Sequence, residues 1–129
     1  MKNNTNKNNI RGYIEGYYGN LLSWDNRKLI IKSLYKNNMN TYLYAPKEDI
    51  SHRLSWRKQY SIKWRACFCE FTNFSKKNNV CVIAGIAPGL DFNFKNLNSD
   101  TKKNKHFDFE LLLNKAKQLL NDGATSIAL

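Results

Sequence analysis

The sequence predicts an α/β fold built on a parallel sheet, and three observations carry that prediction. Short apolar runs typical of strands begin near residues 10, 41, 80 and 125 of the 129-residue chain. Segments with apolar residues at helical spacing separate them, and this alternation implies parallel strands joined by right-handed crossovers. About four βα units have the length and strand count of the N-terminal half of a (β/α)8 barrel, which needs about 250 residues.

A small open sheet of the flavodoxin type is the alternative that this pattern leaves open. The glycines at positions 16 and 19 follow the first strand, but they lack the spacing of a phosphate-binding fingerprint. The strand pattern alone therefore does not decide between half a barrel and an open sheet.

The first third of the chain predicts a tail, a strand and a helix. Residues 1–9 are polar and rich in Asn and Lys, so we expect a disordered tail. The first strand covers residues 10–15, and Ser23 is a suitable N-cap for a helix that runs to about Lys36. Four apolar residues of this helix share one face: Trp24, Ile31, Leu34 and Tyr35.

The middle third predicts a strand, a helix and a second strand. The strand over residues 41–45 ends at Pro46, and the helix covers residues 62–77. Aromatic residues recur along that helix, a pattern more typical of a core-facing stripe than of a ligand site. They are Trp64, Phe68, Phe71 and Phe74. The near-continuous apolar run over residues 80–86 fits a strand that is covered on both faces.

The last third predicts a long surface loop over residues 93–106, a helix over 107–121 and a strand over 125–129. Gly123 supplies the C-terminal glycine of the helix. Its apolar residues at helical spacing are Phe109, Leu112, Leu113, Ala116, Leu119 and Leu120. The length allows one domain, which we assign to residues 10–129.

The composition bears on whether the chain binds a polyanion such as nucleic acid. The formal net charge is +11, which is typical of proteins with polyanionic partners. The excess of positive charge accompanies a high content of Lys and Asn, a combination that an AT-rich coding sequence produces. The basic residues are also scattered along the sequence rather than gathered in one stripe. Composition therefore does not favour nucleic-acid binding.

The cysteines and the apolar segments indicate in which cellular compartment the protein is expected. Cys67, Cys69 and Cys81 have no framework spacing, which indicates free thiols in a reducing environment rather than a disulfide scaffold or a zinc site. The N-terminal residues lack the apolar region of a signal peptide, and no apolar run is long enough to span a bilayer. We therefore expect a cytoplasmic protein without membrane association.

Three polar clusters, residues 15–19, 46–57 and 88–91, follow predicted strand ends. In a parallel sheet these ends lie at one edge, where α/β enzymes carry their chemistry. Lys47 is either a donor to substrate hydroxyls or a solvated loop lysine. Glu48 and Asp49 are either a catalytic carboxylate pair or ordinary loop residues.

Other residues of these clusters also allow two interpretations. His52 could be an acid or base near neutral pH, or a packing residue. Trp56 and Tyr60 could form a platform for a sugar, or anchor the loop to the body of the protein. Glu15 could be an acid, or a hydrogen-bond partner of neighbouring groups.

Several of these segments together resemble a known family. They are GYIEGYYG at 12–19, NTYLYAPKEDISHR at 40–53, Trp-Arg at 56–57, Tyr-Ser at 60–61 and APGLD at 87–91. In this order they resemble the N-terminal half of the catalytic barrel of glycoside hydrolase family 84. That family comprises protein O-GlcNAcases and bacterial β-N-acetylglucosaminidases, some of which are labelled hyaluronidases. The similarity covers about residues 10–129.

The resemblance implies a (β/α)8 barrel that removes N-acetylglucosamine from glycoproteins or glycans with retention. The 2-acetamido oxygen of the substrate attacks the anomeric carbon and forms an oxazoline, so the mechanism is an exception to the two-carboxylate scheme. One aspartate polarises the acetamido group and its neighbour acts as acid and base. The resemblance implies no metal or organic cofactor.

The family's binding residues carry over at three positions. Gly16 resembles the glycine whose backbone lies against the sugar, Tyr18 resembles the aromatic residue beside it, and Lys47 resembles the lysine that binds sugar hydroxyls. Asp49 matches a loop aspartate to which we assign no chemistry.

The family's catalytic aspartate pair follows the fourth strand, at positions just beyond the one that Leu129 matches. The resemblance therefore predicts no catalytic residues within this chain, inactivity of the chain alone, and a possible second chain that completes the barrel. The alternatives are a basic module that binds sugars or polyanions, and a truncated product without function.

Overall fold

The computed structural model describes residues 9–96 and 107–129. The elements alternate along the chain as β1 (Gly12–Glu15), α1 (Trp24–Lys36), β2 (Thr41–Tyr44), α2 (Ile62–Lys77), β3 (Cys81–Gly85), a 3-10 turn (Phe94–Asn96), α3 (Asp108–Asn121) and β4 (Ser126–Ala128). The predicted tail falls almost entirely outside the described residues, as does most of the predicted 93–106 loop.

The four strands form one parallel sheet in the order β1-β2-β3-β4. Gly12 pairs with Thr41, Thr41 with Cys81, and Ile83 with Ser126. A flavodoxin-type sheet would place its first strand between two later ones, whereas strands of a (β/α)8 barrel follow in sequential order. The order confirms the predicted α/β fold and favours the barrel half over the open sheet.

Two of the three helices begin at a serine whose side chain accepts a backbone N–H of the first turn. The hydroxyl of Ser23 accepts the Asn26 N–H at 3.1 Å and caps α1 as predicted. Ser61 caps α2 in the same way, accepting the Trp64 N–H at 3.2 Å. Gly123 follows α3 with φ +109°, and a Cβ there would lie 2.2 Å from Thr72 Oγ1, so the predicted glycine is required for two reasons.

The core lies between the sheet and the helices. Its fully buried members include Ile31 of α1, Tyr42 of β2, and Phe68 and Phe71 of α2. The aromatic stripe predicted for α2 is confirmed as a packing face, since Trp64 and Phe74 also pack against this core. Burial of such large rings contributes most of the apolar stabilisation.

Two predictions about faces are wrong. Tyr35 is 53% exposed and does not share the buried face of α1. The third strand is covered on one face only: Val82 is buried beneath the helices, whereas Cys81, on the opposite face, is exposed.

The uncovered face of the sheet is the one that would face the interior of a closed barrel, since side chains alternate along each strand. Ile14, at 65% exposure, marks that face on β1. Among the described residues, no helix has the length and apolar character needed to cross a membrane.

Candidate functional site

The carboxyl ends of β1, β2 and β3 lie side by side, and the three polar clusters that follow them meet at this edge. Hydrogen bonds between main-chain groups join neighbouring loops directly. They run from Ala45 N to Glu15 O at 2.9 Å, from Lys47 N to Tyr17 O at 3.4 Å, and from Ala87 N to His52 O at 2.9 Å. The expectation that these clusters share one edge of the sheet is confirmed.

The three predicted sugar-binding residues occupy the first two of these loops. Gly16 is half-buried, and a Cβ added to it would lie 3.1 Å from the Ile14 side chain. Tyr18 is 66% exposed. Lys47 is half-buried, and no carboxylate of the described residues forms an ion pair with its ammonium group. A lysine in this situation keeps three donors for a ligand.

Asp49 organises the loop that carries Lys47. Its Oδ2 atom accepts the hydroxyls of Tyr44 at 2.7 Å and Tyr60 at 2.8 Å. Its Oδ1 atom accepts the backbone N–H groups of Ser51 at 2.9 Å and His52 at 3.3 Å. The carboxylate is buried and its acceptor capacity is used within the fold, which makes it a structural group rather than a catalytic one.

The interpretation of Glu48 and Asp49 as a catalytic pair is wrong, because Glu48 is exposed while Asp49 points into the core. The two phenols bound to Asp49 stay protonated. Burial and the neighbouring carboxylate raise the pKa of Tyr44 and the pKa of Tyr60 above the usual range. Both phenols therefore remain donors to the same carboxylate oxygen at any physiological pH.

His52 is a packing residue. Its Nδ1 atom donates to the carbonyl of Gly85 at 2.8 Å, and its ring lies where a side chain at Gly85 would project. Burial lowers the pKa of His52, so the ring is neutral with Nδ1 protonated. Its Nε2 atom is buried and has no hydrogen-bond partner among the described residues. The alternative of an acid or base near neutral pH does not fit this ring.

The far end of the same loop is anchored to the loop after β3. Trp56 is fully buried, stacks on Phe92 at 5.7 Å between centroids, and donates its indole N–H to Asp91 at 2.8 Å. Arg57 forms a bidentate pair with Asp108 at 2.7 and 2.6 Å. The two carboxylates raise the pKa of Arg57, Asp108 having the larger effect. Trp56 is therefore an anchor, and the sugar-platform interpretation is wrong for it.

Glu15, at the end of β1, serves the core. Its carboxylate accepts from the Arg27 guanidinium at 2.8 and 3.0 Å and from the Tyr42 hydroxyl at 2.6 Å. Both members of the ion pair are buried, at 1% and 3% exposure. The hydrogen-bond alternative is the correct one, and Glu15 is not available as an acid.

Besides Arg27, a second buried cation was not identified from the sequence. Lys115 of α3 is fully buried, donates to the carbonyl of Lys58, and places its Nζ atom 3.9 Å from the centroid of the Tyr60 ring. Burial lowers the pKa of Lys115 to about 8. A signal was present, since Leu111, Lys115 and Leu119 are spaced four apart and therefore share a helix face.

Four cavities among the described residues lie away from Gly16, Tyr18 and Lys47. One of them, of about 490 Å³, is lined mainly by Thr72, Asn73, Lys76, Asn79, Cys81 and Thr125. Smaller cavities of about 350, 250 and 240 Å³ lie along the open sheet face and beside α3. None of these four is lined by Gly16, Tyr18 or Lys47. Within residues 9–96 and 107–129, no cluster of three His, Cys, Asp or Glu residues could hold a metal ion.

The arrangement therefore offers binding groups rather than a reacting pair. Lys47 supplies a cation with free donors, Gly16 supplies backbone, and Tyr18 supplies an exposed ring. The buried carboxylates of this edge are used by the fold. An ammonium group, backbone amides and an exposed ring are chemically suited to contact with a polar ligand.

Comparison with known proteins gives a family match over most of the chain. Residues 11–129 match the family model described as beta-N-acetylglucosaminidase. The chain is 38% identical over 85 residues to protein O-GlcNAcase of Rattus norvegicus and, equally, of Mus musculus.

Solved structures agree. The O-GlcNAc hydrolase of Thermobaculum terrenum, solved as a mutant, is similar with a TM-score of 0.77 and 30% identity over 92% of this chain. CpGH84B is similar with a TM-score of 0.80 and 34% identity, also over 92% of this chain.

The matches cover a small part of each relative. The aligned region is 66% of this chain but 9% of either O-GlcNAcase, and it is 24% and 20% of the two solved chains. The likeness in fold and in sequence thus extends across this chain while most of each relative lies outside it.

Proposed function

Because the chain belongs to the beta-N-acetylglucosaminidase family, glycoside hydrolase family 84, we propose that residues 10–129 supply one part of a binding site for N-acetylglucosamine. Gly16, Tyr18 and Lys47 are its sugar contacts. The observation that carries this proposal is the state of Lys47, a half-buried cation held on a packed loop with no ion-pair partner among the described residues.

Lys47 suits this role for physical reasons. The Asp49 network fixes the backbone of the loop that carries it, so little loop freedom remains to be lost when a ligand binds. An ammonium group donates to hydroxyl oxygens, and hydrogen bonds from charged donors are stronger than those between neutral groups. The backbone bond from Lys47 N to Tyr17 O keeps the two contributing loops adjacent.

The substrates would be glycans or glycoproteins that carry N-acetylglucosamine. In the reaction that the family resemblance implies, the acetamido group of the sugar is the nucleophile and an aspartate pair assists it. The positions of that pair follow the one that Leu129 matches, so a polypeptide limited to these 129 residues has neither carboxylate. We expect such a polypeptide to bind the sugar weakly and not to hydrolyse it.

A further part of the barrel would complete the site. Gly16, Tyr18 and Lys47 line none of the four cavities described above, which supports the view that more protein is needed to enclose a ligand. A second chain is one source of that protein. The active enzyme would then be a complex in which residues 10–129 contribute binding and the other part contributes the aspartates.

Two measurements on the purified 129-residue polypeptide test this proposal. With an aryl N-acetylglucosaminide we expect no release of the aryl group, and release in proportion to protein concentration would contradict the assignment of catalysis to groups beyond Leu129. In an NMR titration with N-acetylglucosamine we expect shifts confined to the amides of the loops after β1 and β2. No shifts, or shifts only at the 490 Å³ cavity beside Thr72, would contradict the binding site.

A further inference from the structure

Helix α3 fixes the second half of the loop after β2. The Lys115 ammonium group donates to the carbonyl of Lys58. The Gln118 side chain accepts the Tyr60 N–H at 2.8 Å and donates to the Tyr60 carbonyl at 3.4 Å. Three main-chain groups of the loop are thus bound by side chains of one helix, and that helix is itself held in the core by the buried Leu119.

Tyr60 connects this anchored segment to the turn that carries Lys47. Its hydroxyl donates to Asp49 Oδ2 at 2.8 Å. The backbone N–H of Asp49 donates to the carbonyl of Pro46 at 3.1 Å and closes a turn in which Lys47 is the second residue. The position of the Tyr60 hydroxyl therefore helps to fix the backbone from which the Lys47 side chain extends.

The other end of this connection is a buried charge. Lys115 is fully buried, whereas an apolar side chain of similar length would fill the same space without the loss of hydration that a charge suffers. Burial lowers the pKa of Lys115 to about 8, and the attraction of Asp49 opposes this lowering, so the ammonium form prevails at pH 7. A charge persists in such a place only where other groups compensate it.

The compensating groups are the Lys58 carbonyl, Tyr60 and Asp49. The Lys115 Nζ atom lies 3.9 Å from the centroid of the Tyr60 ring, within the range of a cation–π contact. A cation on the ring draws electron density from the phenol, which strengthens its O–H as a donor to the Asp49 carboxylate. No cation of the described residues forms an ion pair with Asp49, so Lys115 acts on this carboxylate across the Tyr60 ring.

We propose that Lys115 is a positioning residue of the candidate sugar site. Its charge holds the Tyr60 hydroxyl on Asp49, and Asp49 holds the turn in the form from which Lys47 reaches the sugar. Lys115 contacts no ligand itself, because it is fully buried. The inference rests on the proposed function, since it concerns how firmly Lys47 is held for that binding. It makes α3, which follows β3 in the chain, a determinant of affinity at a site formed by the loops after β1 and β2.

NMR titration of the 129-residue polypeptide with N-acetylglucosamine tests the proposal. Lys115→Met keeps the length of the side chain and removes its charge. We expect the dissociation constant to rise about fivefold, because the ligand must then order the turn. The amide resonances of residues 47–52 should shift before any sugar is added. Lys117→Met makes the same change at an exposed position of α3 and should alter neither quantity.

Tyr60→Phe interrupts the same connection at the hydroxyl and leaves the buried lysine and the packing of the ring in place. It should weaken binding to a similar degree. The double variant Lys115→Met with Tyr60→Phe should lose little more than either single variant, because both changes act on one connection. A residue that only fills space on α3 would instead give additive losses of affinity.

An unchanged dissociation constant in Lys115→Met or in Tyr60→Phe would overturn the proposal, and so would additive losses in the double variant. A wild type that binds no sugar would refute the proposed function instead. In that case a shift of the amides of residues 47–52 in Lys115→Met would still support the connection between α3 and the turn, and unchanged amides would overturn it.

Discussion

The loop after β1 and the loop after β2 both carry residues of the candidate sugar site, but they are built differently. In the loop after β2, residues 45–61, the side chains of Asp49, His52 and Trp56 are buried and hydrogen-bonded. In the loop after β1, residues 16–23, Tyr17 and Tyr18 are 43% and 66% exposed. One loop is packed as part of the core, and the other lies on the surface.

Because of this difference, the two loops lose different amounts of conformational entropy when a ligand binds. The backbone that carries Lys47 is held by the Asp49 network before any ligand arrives, so ligand binding need not order this loop. The Arg53 guanidinium lies 5.9 Å from the centroid of the exposed Tyr18 ring. Because this contact is loose, the ligand must order the Tyr18 side chain on binding. Substitutions should therefore affect stability in the loop after β2 and leave it nearly unchanged in the loop after β1.

The largest effect is expected for Asp49→Ala. The change leaves two buried phenol hydroxyls and two backbone N–H groups without their acceptor. We expect a loss of about 4 kcal/mol in the free energy of unfolding, measured by urea denaturation, because each unpaired buried group costs about 1–3 kcal/mol. Glu48→Ala is the matched control, and at this exposed position the change should stay below about 0.5 kcal/mol. Similar values for the two variants would contradict the role of Asp49.

Gly85→Ala should have the next largest effect. A Cβ at this position would lie 2.8 Å from the Ala45 Cβ and 3.0 Å from the His52 ring, so the imidazole must shift. We expect a loss of about 2 kcal/mol, as for overpacking in a core, and a changed ¹⁵N resonance of His52 Nδ1. Gly89→Ala is the control, because no atom lies within 4 Å of a Cβ there. An unchanged His52 resonance in Gly85→Ala would refute this packing.

A smaller effect concerns pH and the buried Lys115. Its pKa is about 8 in the folded protein and ordinarily 10.5, so between these values the unfolded chain binds more protons and stability rises with pH. The contribution is about 1 kcal/mol between pH 8 and pH 9. Neighbouring titratable groups do not cause a similar rise in stability over this pH interval. Burial raises the pKa of the facing Tyr60, so it stays protonated, and burial lowers the pKa of His52, so it stays neutral.

Comparison with Lys115→Met isolates the contribution of Lys115 to the pH dependence of stability, because all other titrating groups are common to both proteins. We expect the free energy of unfolding of the wild type, minus that of the variant, to increase over this pH interval. A flat or falling difference would show that the ammonium group is not buried as described.

The smallest effect on stability is expected for Tyr18→Ala. The ring is 66% exposed, so its removal should change the free energy of unfolding by less than about 0.5 kcal/mol. Tyr60→Ala provides the contrast, since that buried ring stacks on Trp64 and its hydroxyl donates to Asp49. A loss above about 1 kcal/mol for Tyr18→Ala would remove the distinction between the two loops.

The regular part of the fold could be predicted because local sequence determines it. The helix predicted over residues 62–77 is α2 without change, and the predicted cap Ser23 and terminal glycine Gly123 both occupy their positions. The strands are shorter than predicted by one or two residues, as apolar runs continue past the paired segments. The sequential order of the strands was known only from the structure, since neither the strand pattern nor the chain length specified it.

The polar side chains could not be assigned from sequence, because their partners lie far along the chain. Asp49 meets Tyr60, Trp56 meets Asp91, and Glu15 meets Arg27, and each pair depends on how the loops pack. Sequence reasoning therefore left Asp49, Trp56 and Glu15 with two interpretations each, and the structure selected the structural one. The roles of Gly16 and Tyr18 stay predictions.

The central claim, that Lys47 on a preformed loop binds N-acetylglucosamine, is tested most directly by the affinity of matched lysine variants. We would measure the dissociation constant of N-acetylglucosamine by NMR titration for the wild type, Lys47→Ala and Lys58→Ala, which removes an exposed lysine from the same loop. The predicted result is a loss of about tenfold or more for Lys47→Ala, since a charged hydrogen bond contributes about 1.5–3 kcal/mol, and no loss for Lys58→Ala. Equal affinities for the two variants would contradict the claim.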